Sequence, residues 1–106
     1  MRAFRILDNA SYRLDRIYLY TRENWGIDQA DKYIRGLFDR FDAIVERRIA
    51  WRPIAAEFGV DGYVCRYERH YIHWKVLADG DIGIVTVLHE RMHQIAHFQN
   101  DAEGDR

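Results

Sequence analysis

Residues 27–44 read Ile27-Asp28-Gln29-Ala30-Asp31-Lys32-Tyr33-Ile34-Arg35-Gly36-Leu37-Phe38-Asp39-Arg40-Phe41-Asp42-Ala43-Ile44. Ile27, Ala30, Ile34, Leu37, Phe41 and Ile44 step by three and four without a miss, which sets them along one face of a helix that Asp28 can begin. Upstream, Ala10, Leu14, Ile17, Tyr18 and Thr21 keep the same spacing, so residues 10–23 are expected to form a first amphipathic helix. Arg13, Asp15, Arg16 and Arg22 lie on its outer face, and Asp8 or Asn9 is placed to cap it. Only Asn24-Trp25-Gly26 separates the two helices, a turn so short that they should pack antiparallel as a hairpin. The apolar seam ends before three heptads, too short for a coiled coil.

The flanks read as strands. Residues 2–7 alternate, with Phe4 and Ile6 to one side and arginines around them. From Trp51 to Gly62 the helical period disappears, and the single proline with two glycines marks a long connection. Tyr63–Tyr67, Tyr71–Leu77 and Ile82–Leu88 are then rich in β-branched and aromatic residues, and Asp79-Gly80-Asp81 is a hairpin turn between the last two. The strand at 82–88 is apolar on both faces and should be central or covered by helix. Residues 89–98 could add one or two helical turns, and 99–106 read as a disordered tail. The expected fold is α+β, in the order β-α-α-β-β-β, with the helix hairpin on a small, mainly antiparallel sheet in one domain spanning 1–98.

Bulk properties exclude several classes. At 106 residues, 48% hydrophobic, there is material for one core and no room for a second domain. Sixteen basic and 17 acidic residues leave a net charge of −1, which gives no long-range attraction to phosphate. Direct sequence-specific nucleic-acid binding is therefore not expected. Cys65, the only cysteine, sits among apolar and aromatic residues and reads as a buried small side chain, in keeping with a reducing compartment. No apolar stretch approaches a membrane span and the N-terminus lacks a leader pattern, so a cytoplasmic protein with no membrane partner is expected.

Four strings then occur in order. Ala10, Leu14-Asp15, Ile17 and Tyr20 fit A-x3-L-D/E-x-I-x2-Y, and Trp25-Gly26, Gln29-Ala30 and Tyr33 fit WG-x2-QA-x2-Y. His70-Tyr71-Ile72 with Trp74, and Val87-Leu88-His89 with Arg91-Met92, complete the set. Across roughly residues 3–98 the chain resembles the RelE/ParE toxin superfamily, and its ParE-like branch in particular. The resemblance implies the toxin of a type II toxin–antitoxin system, neutralised by a cognate antitoxin. One branch cuts mRNA on the ribosome, and the other inhibits DNA gyrase with no hydrolytic chemistry of its own.

The residues favour the gyrase branch. Where the nuclease branch carries an arginine directly after a tyrosine, this chain has Ile72 after Tyr71, and Tyr63 and Cys65 stand where lysines would be wanted. Residues 61–106 hold five basic against eight acidic side chains, whereas an RNA-gripping surface should be clearly positive. If the chain were nevertheless an endoribonuclease, Arg91, His97 and Arg66 would be its catalytic candidates, with His97 near the position of the family's C-terminal tyrosine. A third reading is a non-toxic relative retained for antitoxin binding. His89, Glu90, Arg91, His93 and His97 are the candidates for target contact, and Leu14, Tyr18, Ile34, Leu37 and Phe41 those for antitoxin contact along the hairpin and an exposed sheet edge.

His89-Glu90-Arg91-Met92-His93 also matches HExxH, the zinc-protease pattern. It follows a strand directly and lacks the distant third ligand, so no metal and no cofactor is expected, although a helix through 89–97 would align the three histidines. His70 and His73, an odd number apart, should face opposite ways, so that at most one joins the C-terminal group. By the same parity only one of Arg66 and Arg69 can join Arg91, and Arg66 is favoured for lying within its strand. Tyr63, Tyr67 and Tyr71 are expected on one face with Trp74 on the other, as core packing and not as a base-stacking platform.

Overall fold

A computed structural model describes residues 3–55 and 61–104. The elements are β1 (Phe4–Ile6), α1 (Asp8–Trp25), α2 (Ile27–Val45), β2 (Arg52–Pro53), β3 (Tyr63–Tyr67), β4 (His70–Val76), β5 (Ile82–His89) and α3 (Gln94–Gly104). They form an α+β fold around a sheet of order β1-β5-β4-β3-β2, in which β1 runs parallel to β5 and the remaining pairs are antiparallel. Much of the stretch read as a connection, residues 56–60, lies outside the described residues, as do residues 1–2 and 105–106. The short strand β2 within that connection has no signature in the sequence. None of the described helices is long and apolar enough to cross a membrane.

The helix joint is tighter than the sequence suggests. Gly26 alone separates α1 from α2: its N–H donates to Arg22 O at 2.9 Å and its carbonyl accepts from Ala30 N at 3.1 Å, closing one helix and opening the other. Its φ of 92° with ψ of 168° is a conformation held almost only by glycine. At the other end α1 begins at Asp8 with Leu7 as N-cap and no side-chain cap, so neither Asp8 nor Asn9 plays that part. Asp8 instead sits in the first turn, where a carboxylate meets the positive end of the helix, and Asn9 Nδ2 reaches Asp101 O at 2.8 Å.

The hairpin covers one face of the sheet. Leu14, Leu37, Phe41 and Ile44 pack on Ile72, Trp74, Ile82, Ile84 and Val87, and each fully buried side chain of this size contributes roughly 1.5–3 kcal/mol. Register decides the aromatics. Tyr67 pairs with His70 and Tyr63 with Trp74, so Tyr63, Tyr67 and Trp74 share the face beneath the helices, and Tyr71 pairs with Arg66 on the other. The expectation that Trp74 opposes Tyr63 and Tyr67 fails because parity restarts across the Glu68-Arg69 turn. Tyr63 stacks on Trp74 at 5.9 Å, and Trp51 meets Trp74 edge-on at 6.0 Å. Cys65 is half-buried on this face, and burial raises its thiol to about 11, leaving it protonated and unreactive.

The opposite face is covered by α3. The stretch beyond Phe98, a tail by composition, is helical as far as Gly104. The reason is Asp101, which accepts from Thr86 Oγ1 of β5 and pairs with Arg13 of α1, while Phe98 is buried against His73. The central strand β5 is thereby buried from Ile82 to Leu88, as its two-sided apolar character predicts. Between His73↔Thr86 and Trp74↔Ile84 the register slips, leaving Val85 without a partner on β4.

Candidate functional site

The C-terminal segment leaves the sheet at His89. Glu90 N donates to Arg69 O at 2.9 Å and Met92 N to His89 O at 3.0 Å, and the Gln94 amide donates to the carbonyls of His89 and Met92, so backbone and side chain together fix a tight turn. His89 Nδ1 accepts from Arg91 N at 3.1 Å, and His93 Nδ1 accepts from Ala96 N at 3.2 Å, acting as the cap of α3. The HExxH string is thus divided among a strand end, a turn and a helix cap. The three histidines do not align, and among the described residues no three His, Cys, Asp or Glu side chains are grouped to hold a metal.

On the hairpin side, His89 meets His70 edge-on at 5.3 Å, and the Tyr33 hydroxyl of α2 donates to His70 Nδ1 at 2.6 Å. Burial, with the neighbouring His89 adding to it, lowers the His70 imidazole to about 4, and burial raises the Tyr33 phenol to about 12. At neutral pH both are uncharged, as the donor and acceptor roles require. Above this pair opens a cleft of about 760 Å³ between the two helices and the β5–α3 turn, lined by Arg13, Arg16, Arg69 and Arg91 with aromatic side chains between them.

The opposite side differs in character. Arg66 donates to Glu90 Oε2 at 2.7 Å and to Glu68 O at 2.7 Å, with its guanidinium 5.5 Å from the Tyr71 ring. His73 Nε2 bonds Gln94 Oε1 at 2.9 Å, its Nδ1 has no partner among the described residues, and burial lowers its pKa against the opposing pull of Gln94 and Asp101. His70 and His73 do face opposite ways. Both nonetheless touch the C-terminal segment, because that segment passes from one face at His89 to the other at Phe98.

The candidates from sequence therefore separate. His89 and Arg91 line the cleft, Glu90 is taken up by Arg66, His93 caps α3, and His97 lies within α3. Arg69, not Arg66, shares the cleft with Arg91: it stands in the turn after the left-handed Glu68, where strand parity no longer governs its direction. Arg91, His97 and Arg66, the nuclease candidates, are not gathered, since only Arg91 of the three lines the cleft.

The antitoxin candidates are mostly taken up by the core. Leu37 and Phe41 are fully buried and Leu14 nearly so, Ile34 packs on the same core, and Tyr18 is half-buried with its hydroxyl on Asp31 at 2.7 Å. A helical apolar stripe marks the side facing the sheet, and of these five only Tyr18 and Ile34 keep partial exposure. The exposed large apolar side chains of the hairpin are Tyr12, Leu19, Tyr20, Trp25, Ile27 and Phe38, with Tyr20 and Trp25 60% and 64% exposed and in edge contact at 5.9 Å. Sequence reasoning missed Arg13, Arg16, Arg69 and Tyr33 as neighbours of His89. Tyr33 alone carried a signal, as the last residue of the Trp25–Tyr33 string.

Residues 4–94 match the family described as the ParE toxin of the type II toxin-antitoxin system parDE. The chain is 30% identical to Toxin ParE1 of Mycobacterium tuberculosis, covering 78% of this chain and 84% of that one. It is 31% identical to Toxin ParE1 of Caulobacter vibrioides, covering 92% and 99%. A solved structure titled "Chromosomal ParDE TA system from P. aeruginosa" superposes with a TM-score of 0.66 at 20% identity, over 84% of this chain and 96% of that one, a likeness of fold.

Proposed function

Since the chain belongs to the ParE toxin family of type II toxin–antitoxin systems, we propose that it arrests growth by binding and disabling DNA gyrase, and that a cognate antitoxin holds it inactive. The observation that carries the choice of target is the position of α3. A nuclease of this fold needs an open, basic sheet face on which to seat RNA. Here α3 covers the side opposite the hairpin, with Phe98 over His73 and Asp101 on Thr86, and the nearby Arg66 is neutralised by Glu90. Ile72, at the position of the nuclease branch's arginine, is fully buried beneath the hairpin.

Target contact is assigned to the β5–α3 segment, where Arg91 and His93 are exposed and His89, Glu90 and His97 half-buried. The antitoxin docks over the outer side of the hairpin, whose exposed Tyr20, Trp25, Ile27 and Phe38 replace the buried stripe as its apolar contacts. Purified protein should block DNA supercoiling by gyrase and leave ribosome-bound mRNA intact. Cleaved mRNA with unimpaired gyrase would overturn the assignment, and growth unaffected by expression without a partner would point to the non-toxic relative.

A further inference from the structure

The turn that carries Arg91 has little packing of its own. His89, Glu90 and Met92 are half-buried and Arg91 and His93 exposed, so polar contacts set its shape. Its main-chain bonds, from Glu90 N to Arg69 O and from Met92 N to His89 O, are joined by two from one side chain. Gln94 Nε2 donates to His89 O at 2.8 Å and to Met92 O at 3.0 Å. Carbonyls cannot donate, so these two fix which end of the amide is nitrogen and turn Oε1 the other way.

Oε1 meets His73 of β4, whose Nε2 lies 2.9 Å away. Because Oε1 only accepts, Nε2 carries the proton and donates, and Nδ1 is left as a bare lone pair without a partner among the described residues. His73 is 2% exposed. It is paired across the sheet with Val64 of β3 and Thr86 of β5, and Phe98 of α3 covers it with ring centroids 5.3 Å apart. A buried imidazole with one nitrogen unsatisfied is less favourable there than an apolar side chain of its size. Core packing alone gives no reason for a histidine at this position, whereas the hydrogen bond from Nε2 to Gln94 does.

We propose that His73 and Gln94 are positioning residues for target contact: His73 orients Gln94, and Gln94 clamps the two carbonyls that shape the β5–α3 turn, fixing where His89 and Arg91 point. This rests on the assignment of target contact to that turn, and deepens it by tracing what holds the turn in shape. Buried as it is, His73 meets no target itself and acts through Gln94.

Four variants of the full chain separate the clamp from general packing. Gln94→Met keeps the length of the side chain and removes all three bonds. His73→Leu keeps an apolar side chain under Phe98 and removes the donor, whereas His73→Gln keeps a donor near the place of Nε2. Asp101→Ala weakens the docking of α3 and leaves the clamp in place. Gln94→Met and His73→Leu should each raise the concentration needed for half-inhibition of gyrase about tenfold or more. Amide exchange at Glu90 and Met92 should quicken in both. Combined, they should be no worse than Gln94→Met alone, because one acts through the other. His73→Gln should recover most of the potency lost in His73→Leu, and Asp101→Ala should keep most of its potency although it melts earlier. Additive losses in the double variant, equal losses in His73→Gln and His73→Leu, or losses that simply follow melting temperature would overturn the proposal. Growth arrest on expression is scored alongside. If wild type arrests growth and leaves gyrase untouched, the gyrase reading fails, and the order of the variants in arrest supports or overturns the clamp by the same criteria. Wild-type exchange at the two amides in Gln94→Met would sink the clamp whatever the target.

Discussion

Asp101 of α3 accepts a hydrogen bond from Thr86 Oγ1 of β5 at 2.7 Å and is buried to 7% exposure. The oxygen that accepts this bond, Oδ2, also accepts from Arg13 Nε of α1 at 3.1 Å, and Oδ1 accepts from Arg13 Nη2 at 3.4 Å, so a single carboxylate ties the last helix to the first helix and to β5. Charge-assisted hydrogen bonds of this kind are worth about 1.5–3 kcal/mol. Asp101→Ala should lower unfolding free energy by about that amount and raise amide exchange in α3 more than in β5. Unchanged exchange in α3 would mean that Phe98 alone holds it.

His70 sets an acid limit to stability. Its folded imidazole, lowered to about 4 from the ordinary 6.5, binds fewer protons than the unfolded chain between those two values. Stability is therefore intact above pH 6.5 and declines as pH falls toward 4, by on the order of 1–2 kcal/mol for a group still partly open to solvent. The buried His73 is shifted the same way and adds to the slope. Urea midpoints measured from pH 7.5 to 4 should show the decline, and His70→Gln should flatten part of it. A slope identical to wild type in that variant would remove His70 from the account.

Gly36 should resist the usual benefit of alanine in a helix. A Cβ there would stand 1.8 Å from the Tyr67 hydroxyl and 2.6 Å from its Cζ, so the tyrosine must leave its place against Tyr33. Gly36→Ala is expected to destabilise by about 1–3 kcal/mol in place of the gain of roughly 0.5–1 kcal/mol that helical propensity alone gives. In a Tyr67→Ala background the same substitution should become neutral or stabilising, and a penalty that persists there would contradict this origin.

The helix joint offers a backbone test. Among the described residues nothing lies within 4 Å of a Cβ built on Gly26, so Gly26→Ala meets no steric obstacle from them and the φ of 92° opposes it. A loss of about 1–3 kcal/mol in thermal or denaturant unfolding is expected from strain alone. A melting temperature equal to wild type would show that the joint relaxes to another conformation.

Arg91 separates toxicity from folding. Its side chain is exposed and carries no ion pair among the described residues, so Arg91→Ala should leave the unfolding free energy within about 0.5 kcal/mol of wild type and still weaken growth arrest. Removing residues 89–106 is a poorer probe, because it also strips Phe98 and Asp101 from the outer face of the sheet. Undiminished arrest by Arg91→Ala would move the target contact away from this turn.

Residues 27–44 disclosed the second helix and the side it buries, because a period of 3.6 is a local property of the chain. The same stripe carried the expected antitoxin contacts, and the fold turns most of it inward for a physical reason: periodic apolar residues identify what the fold consumes, and exposed apolar residues such as Trp25 and Ile27 lie off that stripe or beyond the sheet's reach. Strand parity was equally local. It separated His70 from His73 correctly, yet could not cross the Glu68-Arg69 turn to join Trp74 to Tyr63, or choose Arg69 over Arg66.

The sequence by itself determined the α+β order, the helix hairpin, an interior β5 apolar on both faces, and, through its ordered strings, the toxin family. These follow from propensity, periodicity and short motifs, each carried within a few turns of chain. Only the tertiary structure decided that Arg13, Arg16, Arg69 and Arg91 share one recess with His89, and that Asp101 draws the last helix over the sheet. Residues so far apart in the chain meet through side-chain packing and charge pairing across three elements, and no linear spacing encodes that encounter.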